Sequence, residues 1–270
     1  MEESVRKLVG MPAAEERLTL TWAGHSTVLI EAEGMRILTD PLLRSRVGHV
    51  RRVGEAPAIA DELDAVLISH VHHDHLDLRS LASLRSRRLV VPRGVGPMLE
   101  RRGFERVIEL DEGEQISFCT CAIRATHAEH RARRLPWGKE IPSLGFLIET
   151  AALVYFAGDT DIFPGMRDLA PALDVALLPV DGWGPRVGPG HLNPERAAET
   201  LRLLRPRVAI PIHWGTYRRW GLPRDEATLR EPVQRFARLA AELAPEVDVR
   251  VLAPGERLEL PLPAAAGVQP

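Results

Sequence analysis

Cysteine is scarce: the 270 residues hold only Cys119 and Cys121. Two apart in the strand-like run ISFCTCAIRAT, they share one face of an extended segment and are poorly placed to bridge each other. With no second pair to complete a thiolate metal site, they read as small core residues. An excess of one charge is also missing. The net charge of -2, from 35 basic and 37 acidic side chains, gives no electrostatic footprint for nucleic acid or an anionic membrane, so no nucleic acid partner is expected. No run approaches the roughly 20 apolar residues of a spanning helix, so no membrane span is expected. The opening MEESVRKLVGMPAAEE lacks the apolar stretch of a signal peptide, and the expected location is cytoplasmic. Repeats, low-complexity tracts and linkers are absent as well, so 1–270 is expected to form a single domain with a substantial core. Nothing in the composition decides whether the chain is a homo-oligomer.

What is present is an alternation of strand and helix patterns. LTLTWAGHSTVLIEAEGMRILTD reads as several short strands, with Glu33-Gly34 as a hairpin turn and Asp40-Pro41 as a stop. Apolar strand runs recur at 65–68, 144–149, 152–156, 175–179 and 207–212. Helical patterns fall near 77–85, 95–102, 194–205 and 226–243. The order predicts a mixed α/β fold with a strand-rich beginning. In VVPRGVGPML, Gly94 and Gly96 stand where a dinucleotide fingerprint would lie, but the third glycine is missing because position 99 is Leu99. That stretch reads as a turn and a helix start.

The chemistry is concentrated in SHVHHDHLD, residues 69–77, which holds four histidines and two aspartates directly behind the apolar run 65–68. Imidazoles together with a carboxylate are the ligands that a borderline-soft cation such as zinc prefers. In an extended segment His70 and His72 share a side and converge on one ion. Asp74 and His75, where the chain turns towards a helix beginning near Asp77, point at a neighbouring second ion, and His73 faces away as a spacer. Further candidates stand just past apolar strand runs: His127 and His130 after CAIRAT, Asp159 after LVYFAG, and His213 after VAIPI. One rim of the sheets is therefore expected to gather them.

H-x-H-x-D-H, then a lone histidine, then Gly158-Asp159-Thr160, then His213 in PIHWGTY, resembles the metallo-β-lactamase superfamily of hydrolases. WAGHSTVLIE, LTDP and GHLNPERAAE narrow the likeness to the branch of the ascorbate-6-phosphate lactonases and the N-acylphosphatidylethanolamine phospholipase D-like proteins. The likeness spans roughly residues 18–216. It implies a four-layer αββα sandwich with two metals at one edge. His70, His72 and a later histidine would hold the first; Asp74, His75 and His213 would hold the second, with Asp159 bridging. The family pattern P-A-x-H favours His130 as the later histidine and sets His127 where a proline is common, a departure that leaves His127 as the alternative.

Such a pair of divalent ions, zinc first with manganese or iron as alternatives, implies hydrolysis by a hydroxide shared between them, acting on a small-molecule phosphodiester or a lactone or other ester. Asp74 is placed to accept a proton or orient that hydroxide. His191, ahead of Asn193-Pro194 at a helix start, is a second catalytic candidate that reaches a substrate phosphate or protonates a leaving group. Asp40 reads as a partner orienting a ligand histidine, His25 as either structural or orienting, and His49 as without a specific role. Trp137, Trp183, Trp214 and Trp220 are candidates for the cleft wall. Loops 41–60, 131–143 and 182–192 are expected to set specificity. The alternatives are a non-catalytic metal-binding regulatory protein of the same fold, or a nuclease of the superfamily.

Overall fold

The computed structural model describes residues 17–59, 62–84, 88–118, 120–170, 172–182, 187–219 and 226–261. Cys119, Trp183, Trp220 and the two terminal stretches lie outside the described residues.

Strand formation follows the period-2 pattern. β1 (Arg17–Gly24), β2 (Thr27–Ala32) and β3 (Met35–Thr39) form an antiparallel meander. Between β2 and β3, Glu33 at φ 49° and Gly34 at φ 76° form the left-handed two-residue turn whose twist suits a hairpin. β4 (Arg46–Val47) and β5 (Val50–Arg52) then make a short hairpin, and β6 (Ala65–Leu67), β7 (Arg88–Pro92) and β8 (Val107–Leu110) return in parallel. The second half repeats this plan. β9 (Gln115–Phe118), β10 (Cys121–Arg133), β11 (Glu140–Glu149) and β12 (Leu153–Phe156) are antiparallel, and β13 (Val175–Pro179), β14 (Val208–Ile212) and β16 (Asp248–Val249) extend the sheet in parallel. β15 (Tyr217–Arg219) pairs with β5, and β17 (Arg257–Pro261) closes the first sheet against β1.

Two seven-stranded sheets result, β17-β1-β2-β3-β6-β7-β8 and β16-β14-β13-β12-β11-β10-β9, with a small sheet β15-β5-β4 beside them. Alternation shows how they stack. Leu18, Leu20, Trp22, Val28, Ile30, Ile37 and Leu67 of the first sheet join the main core with Ile123, Phe146, Ile148 and Phe156 of the second. Their neighbours Leu29, Leu38, Val66, Ile68, Leu89 and Val91 face the other way, into a second cluster. That outer cluster also takes residues from α1 (Leu78–Ala82) and α2 (Gly96–Glu100), namely Leu81 and Leu99. On the far side α3 (Pro194–Leu204) and α4 (Glu226–Leu243) pack against each other and bury Ala197, Leu201, Val233 and Phe236. The architecture is the αββα sandwich.

Helix starts obey local capping. Asp77 accepts from Ser80 N at 3.0 Å ahead of α1, and Asn193 accepts from Arg196 N at 2.9 Å ahead of α3, whose first position is Pro194. The glycine-rich stretch before α2 is a turn. Gly94 lies at φ 98°, and the N–H groups of Gly94 and Gly96 both donate to the Glu109 carboxylate, which occupies the place a phosphate would need. One expectation changes: ISFCTCAIRAT is two antiparallel strands rather than one, since Cys121 pairs with Phe118. Cys121 is buried, and burial pushes its thiol up to about 11, so it stays protonated and inert.

Candidate metal centre

The parallel strands end along one edge of the sandwich, and the polar residues collect there. β3 delivers Asp40, β6 leads into Ser69–Asp77, β12 delivers Asp159 and β14 delivers His213. The segment after β6 is a compact turn, with His75 N and Leu76 N both donating to His72 O. Arg134 Nη1 closes it by donating to Val71 O at 3.1 Å and Leu76 O at 2.7 Å. Asp40 is fully buried and ties strand end to turn: it accepts from Ser69 N at 2.7 Å, Ser69 Oγ at 2.6 Å and His75 Nδ1 at 2.7 Å.

Two groups of donor atoms result. In the first, His70 Nε2 and His130 Nε2 each stand 3.1 Å from His72 Nδ1. Zinc–nitrogen bonds of about 2.0–2.1 Å in a tetrahedron place ligand nitrogens about 3.3 Å apart, so the spacing suits one ion. The rings are oriented from behind. His130 Nδ1 donates to Gly190 O at 2.8 Å, and His70 Nδ1 meets Ser69 Oγ at 2.9 Å, whose own proton goes to Asp40. Each Nδ1–H is thereby used and each Nε2 lone pair faces the cluster.

The second group is His75, His213, Asp74 and His25, whose donor atoms lie within 4.8 Å of one another. His75 Nδ1 donates to Asp40 and His213 Nδ1 to Asp181 O at 2.8 Å, which again leaves both Nε2 atoms facing inward. Asp159 stands between the groups: Oδ2 is 3.8 Å from His70 Nε2 and 3.3 Å from His75 Nε2, and Oδ1 is 3.4 Å from His213 Nε2. His191 Nε2 approaches Asp159 Oδ2 to 3.4 Å from the open side.

Electrostatics favours cations here. Burial lowers His70 and His72 and takes His130 down to about 4, so these three imidazoles are neutral and their lone pairs available. For His75 burial acts in the same direction, but Asp159, Asp74 and Asp40 outweigh it and hold the ring well above its usual value. Asp74 and Asp159 are pushed up by burial and pulled well below the usual carboxylate range by the histidines around them. Three buried atoms, His75 Nε2, His213 Nε2 and Asp159 Oδ1, make no hydrogen bond. Unsatisfied buried polar atoms are costly, and these converge; the donor set fits a divalent metal.

The chain thus brings His70, His72, His130, Asp74, His75, His213 and Asp159 together, with His191 at the rim. His127 does not join them. It is 39% exposed and pairs with Glu112 at 2.8 Å on the outer side. Both histidines lie inside β10 rather than past its end, and β10 changes phase: Ile123 and Ala125 are buried, then Ala128, His130 and Ala132, while pairing with β11 slips between His127 and Arg131. Unbroken alternation from Ile123 would have turned His127 inward; the bulge turns His130 instead.

A cavity of about 680 Å³ opens above the groups. Its walls include Val47, Val50 and Val187, with Arg44 and His49 from the 41–60 segment and His73 beside the cluster. His49 and His73 line the cavity, and neither joins the donor groups. Among the described residues, parts of segments 41–60 and 182–192 line it, but 131–143 does not. Trp137 is 82% exposed and away from the cavity, and Trp214 is buried, stacked on Trp22 at 5.0 Å. His25 is the residue whose place in the second group the sequence left undecided. Its signal was the same as for the others, a histidine just past a strand run.

A family model described as "Beta-lactamase superfamily domain" matches residues 35–214. A UPF0173 metal-dependent hydrolase of Opitutus terrae is 33% identical over 250 residues, covering 90% of this chain and 100% of that protein. The N-acyl-phosphatidylethanolamine-hydrolyzing phospholipase D 1 of Caenorhabditis elegans is 30% identical over 233 residues, 76% of this chain and 65% of that protein. Among solved structures, a metallo hydrolase of the archaeon Ignicoccus hospitalis aligns with a TM-score of 0.69 at 25% identity, over 90% of this chain and 98% of that one.

Proposed function

This chain belongs to the beta-lactamase superfamily domain family and is a metal-dependent hydrolase, and from that premise we propose that it uses two divalent ions on a phosphodiester or on a lactone or other carboxylic ester. The observation that supports the two-ion reading is the position of Asp159 between two sets of imidazole nitrogens, with Oδ2 3.8 Å from His70 Nε2 and 3.3 Å from His75 Nε2, and Oδ1 3.4 Å from His213 Nε2. Neutral imidazoles with carboxylates suit zinc first, with manganese and iron as alternatives. His70, His72 and His130 would hold one ion, Asp74, His75 and His213 the other, and Asp159 both.

Two ions so held would make a water acidic enough to be a nucleophile near neutral pH and would neutralise charge developing on the attacked carbon or phosphorus. The chain's own side chains supply the rest. The Asp74 carboxylate, at the floor of the cavity, orients the attacking water and takes its proton. His191 Nε2 faces Asp159 from the rim and is placed to give a proton to the departing oxygen. Val47, Val50 and Val187 exclude water from one side of the cavity and receive an apolar part of the substrate. Likeness to a protein named for hydrolysing N-acyl-phosphatidylethanolamine supports the phosphodiester.

The test is metal content and turnover together. Protein purified without chelator is expected to carry close to two equivalents of metal and to cleave members of a panel of generic phosphodiesters and lactones. Asp74→Ala is expected to lower kcat by about 10²–10⁴-fold while circular dichroism stays native. A single ion under every loading condition, or wild-type kcat in Asp74→Ala, overturns the mechanism; inactivity of the two-ion protein on every substrate favours a regulatory binding protein.

A further inference from the structure

His25 lies outside the segment 35–214 that the family model matches, yet its ring sits against the second group of donors. Its backbone is left-handed, φ 55°, a strained conformation for a side-chain-bearing residue that persists only where the surroundings hold it. They do. His25 N donates to Thr216 Oγ1 at 2.7 Å, and His25 O accepts from His213 N and from the Trp22 indole, both at 2.9 Å. Trp22 is itself stacked on Trp214, and the buried Arg52 guanidinium of β5 donates to Ala23 O, two residues before His25. Three segments, β1, β5 and the turn after β14, thus converge on one strained residue.

The strain has one evident product: the imidazole Nε2 reaches Asp74 Oδ2 at 3.2 Å. A carboxylate only accepts, so in this contact Nε2 carries the proton. That separates His25 from its neighbours. His75 Nε2 and His213 Nε2 are buried without a hydrogen bond, whereas His25 Nε2 is already spent on Asp74.

We propose that His25 is a positioning residue: it is held in a left-handed turn so that its Nε2–H anchors one oxygen of Asp74, setting the carboxylate's place beside His75 and His213. It does not touch the ion or the substrate. A carboxylate that both orients water and takes a proton loses rate when it swings, so the anchor acts on kcat more than on KM. This rests on the two-ion reading given above, and the experiment separates the two.

Three measurements on the full-length chain test it. In the zinc-loaded wild type, nitrogen-15 NMR is expected to show His25 with its proton on Nε2. His25→Asn accepts the left-handed backbone but is too short to reach Asp74. It is expected to keep both zinc equivalents and lose about 10–100-fold in kcat on the best panel substrate with KM little changed. His25→Gln, which restores a donor at similar reach, is expected to recover most of that loss. A zinc-bound Nε2, or a folded His25→Asn that loses one zinc equivalent, makes His25 a ligand and overturns the proposal, as does wild-type kcat in His25→Asn. Should the wild type itself hold fewer than two ions or turn over nothing, the two-ion reading fails, and the site of the His25 proton alone decides: on Nε2 it upholds the anchor, on Nδ1 it removes it.

Discussion

His127 and His130 are the same side chain three positions apart, and their surroundings separate them. His130 is buried, neutral, and oriented by Gly190 O; His127 is partly exposed beside Glu112 and Glu129. His130→Ala removes one of three nitrogens around the first position, and His127→Ala removes none. We expect His130→Ala to deplete one metal equivalent and His127→Ala to keep both, as read by elemental analysis after extensive dialysis; the reverse pattern would assign the ligand to His127. Asp40 acts through two other residues, Ser69 and His75, so it belongs with the groups that set ring orientation rather than with those that face the cavity.

At the scale of strands and turns, the site depends on how closely two strand ends approach. Gly158 follows β12 at φ 59°, and a Cβ there would stand 2.6 Å from Ser69 Cβ and 3.1 Å from Leu144 O. No side chain fits without parting the end of β12 from the end of β6, and those ends carry Asp159 and His70. Gly158→Ala is expected to cost about 1–3 kcal/mol from strain and overpacking. It should also weaken zinc binding, because Asp159 is displaced from both donor groups. Urea unfolding and zinc titration check the two parts; a stable variant with native zinc affinity would show that the strand ends tolerate separation.

For the molecule as a whole, the donors lie along one edge while the main core lies between the sheets, from Leu18 and Trp22 across to Phe146 and Phe156. On the two-ion reading, folding is not expected to require the ions, and their binding is expected to add to stability. An ion present at 100 times its Kd contributes about 2.7 kcal/mol. In a chain of this size each kcal/mol shifts Tm by about 2–4 °C. Chelation is expected to lower Tm by roughly 5–10 °C per ion removed, with the circular dichroism spectrum unchanged at room temperature and Tm restored by zinc. Outright unfolding on chelation would mean that the core is insufficient alone; an unchanged Tm would mean that no ion had been bound. Among the described residues no helix is long and apolar enough to cross a membrane.

Much of this was legible in the residues themselves. Continuous apolar runs located the central strands, Asn193-Pro194 and Asp77 marked helix starts, and the imidazoles of 70–75 pointed to a cation, because propensity, capping and ligand chemistry are properties of a few neighbouring residues. The rest was not local. That β10 slips against β11 and so brings in His130, that His25 leans on Asp74 from a different strand end, that β4 and β5 bring His49 to the cavity, and that Cys121 pairs back on Phe118 all follow from pairing between segments. A strand's register and a turn's strain are set by the burial they allow elsewhere in the molecule, and that free energy exists only once both sheets have closed on the core.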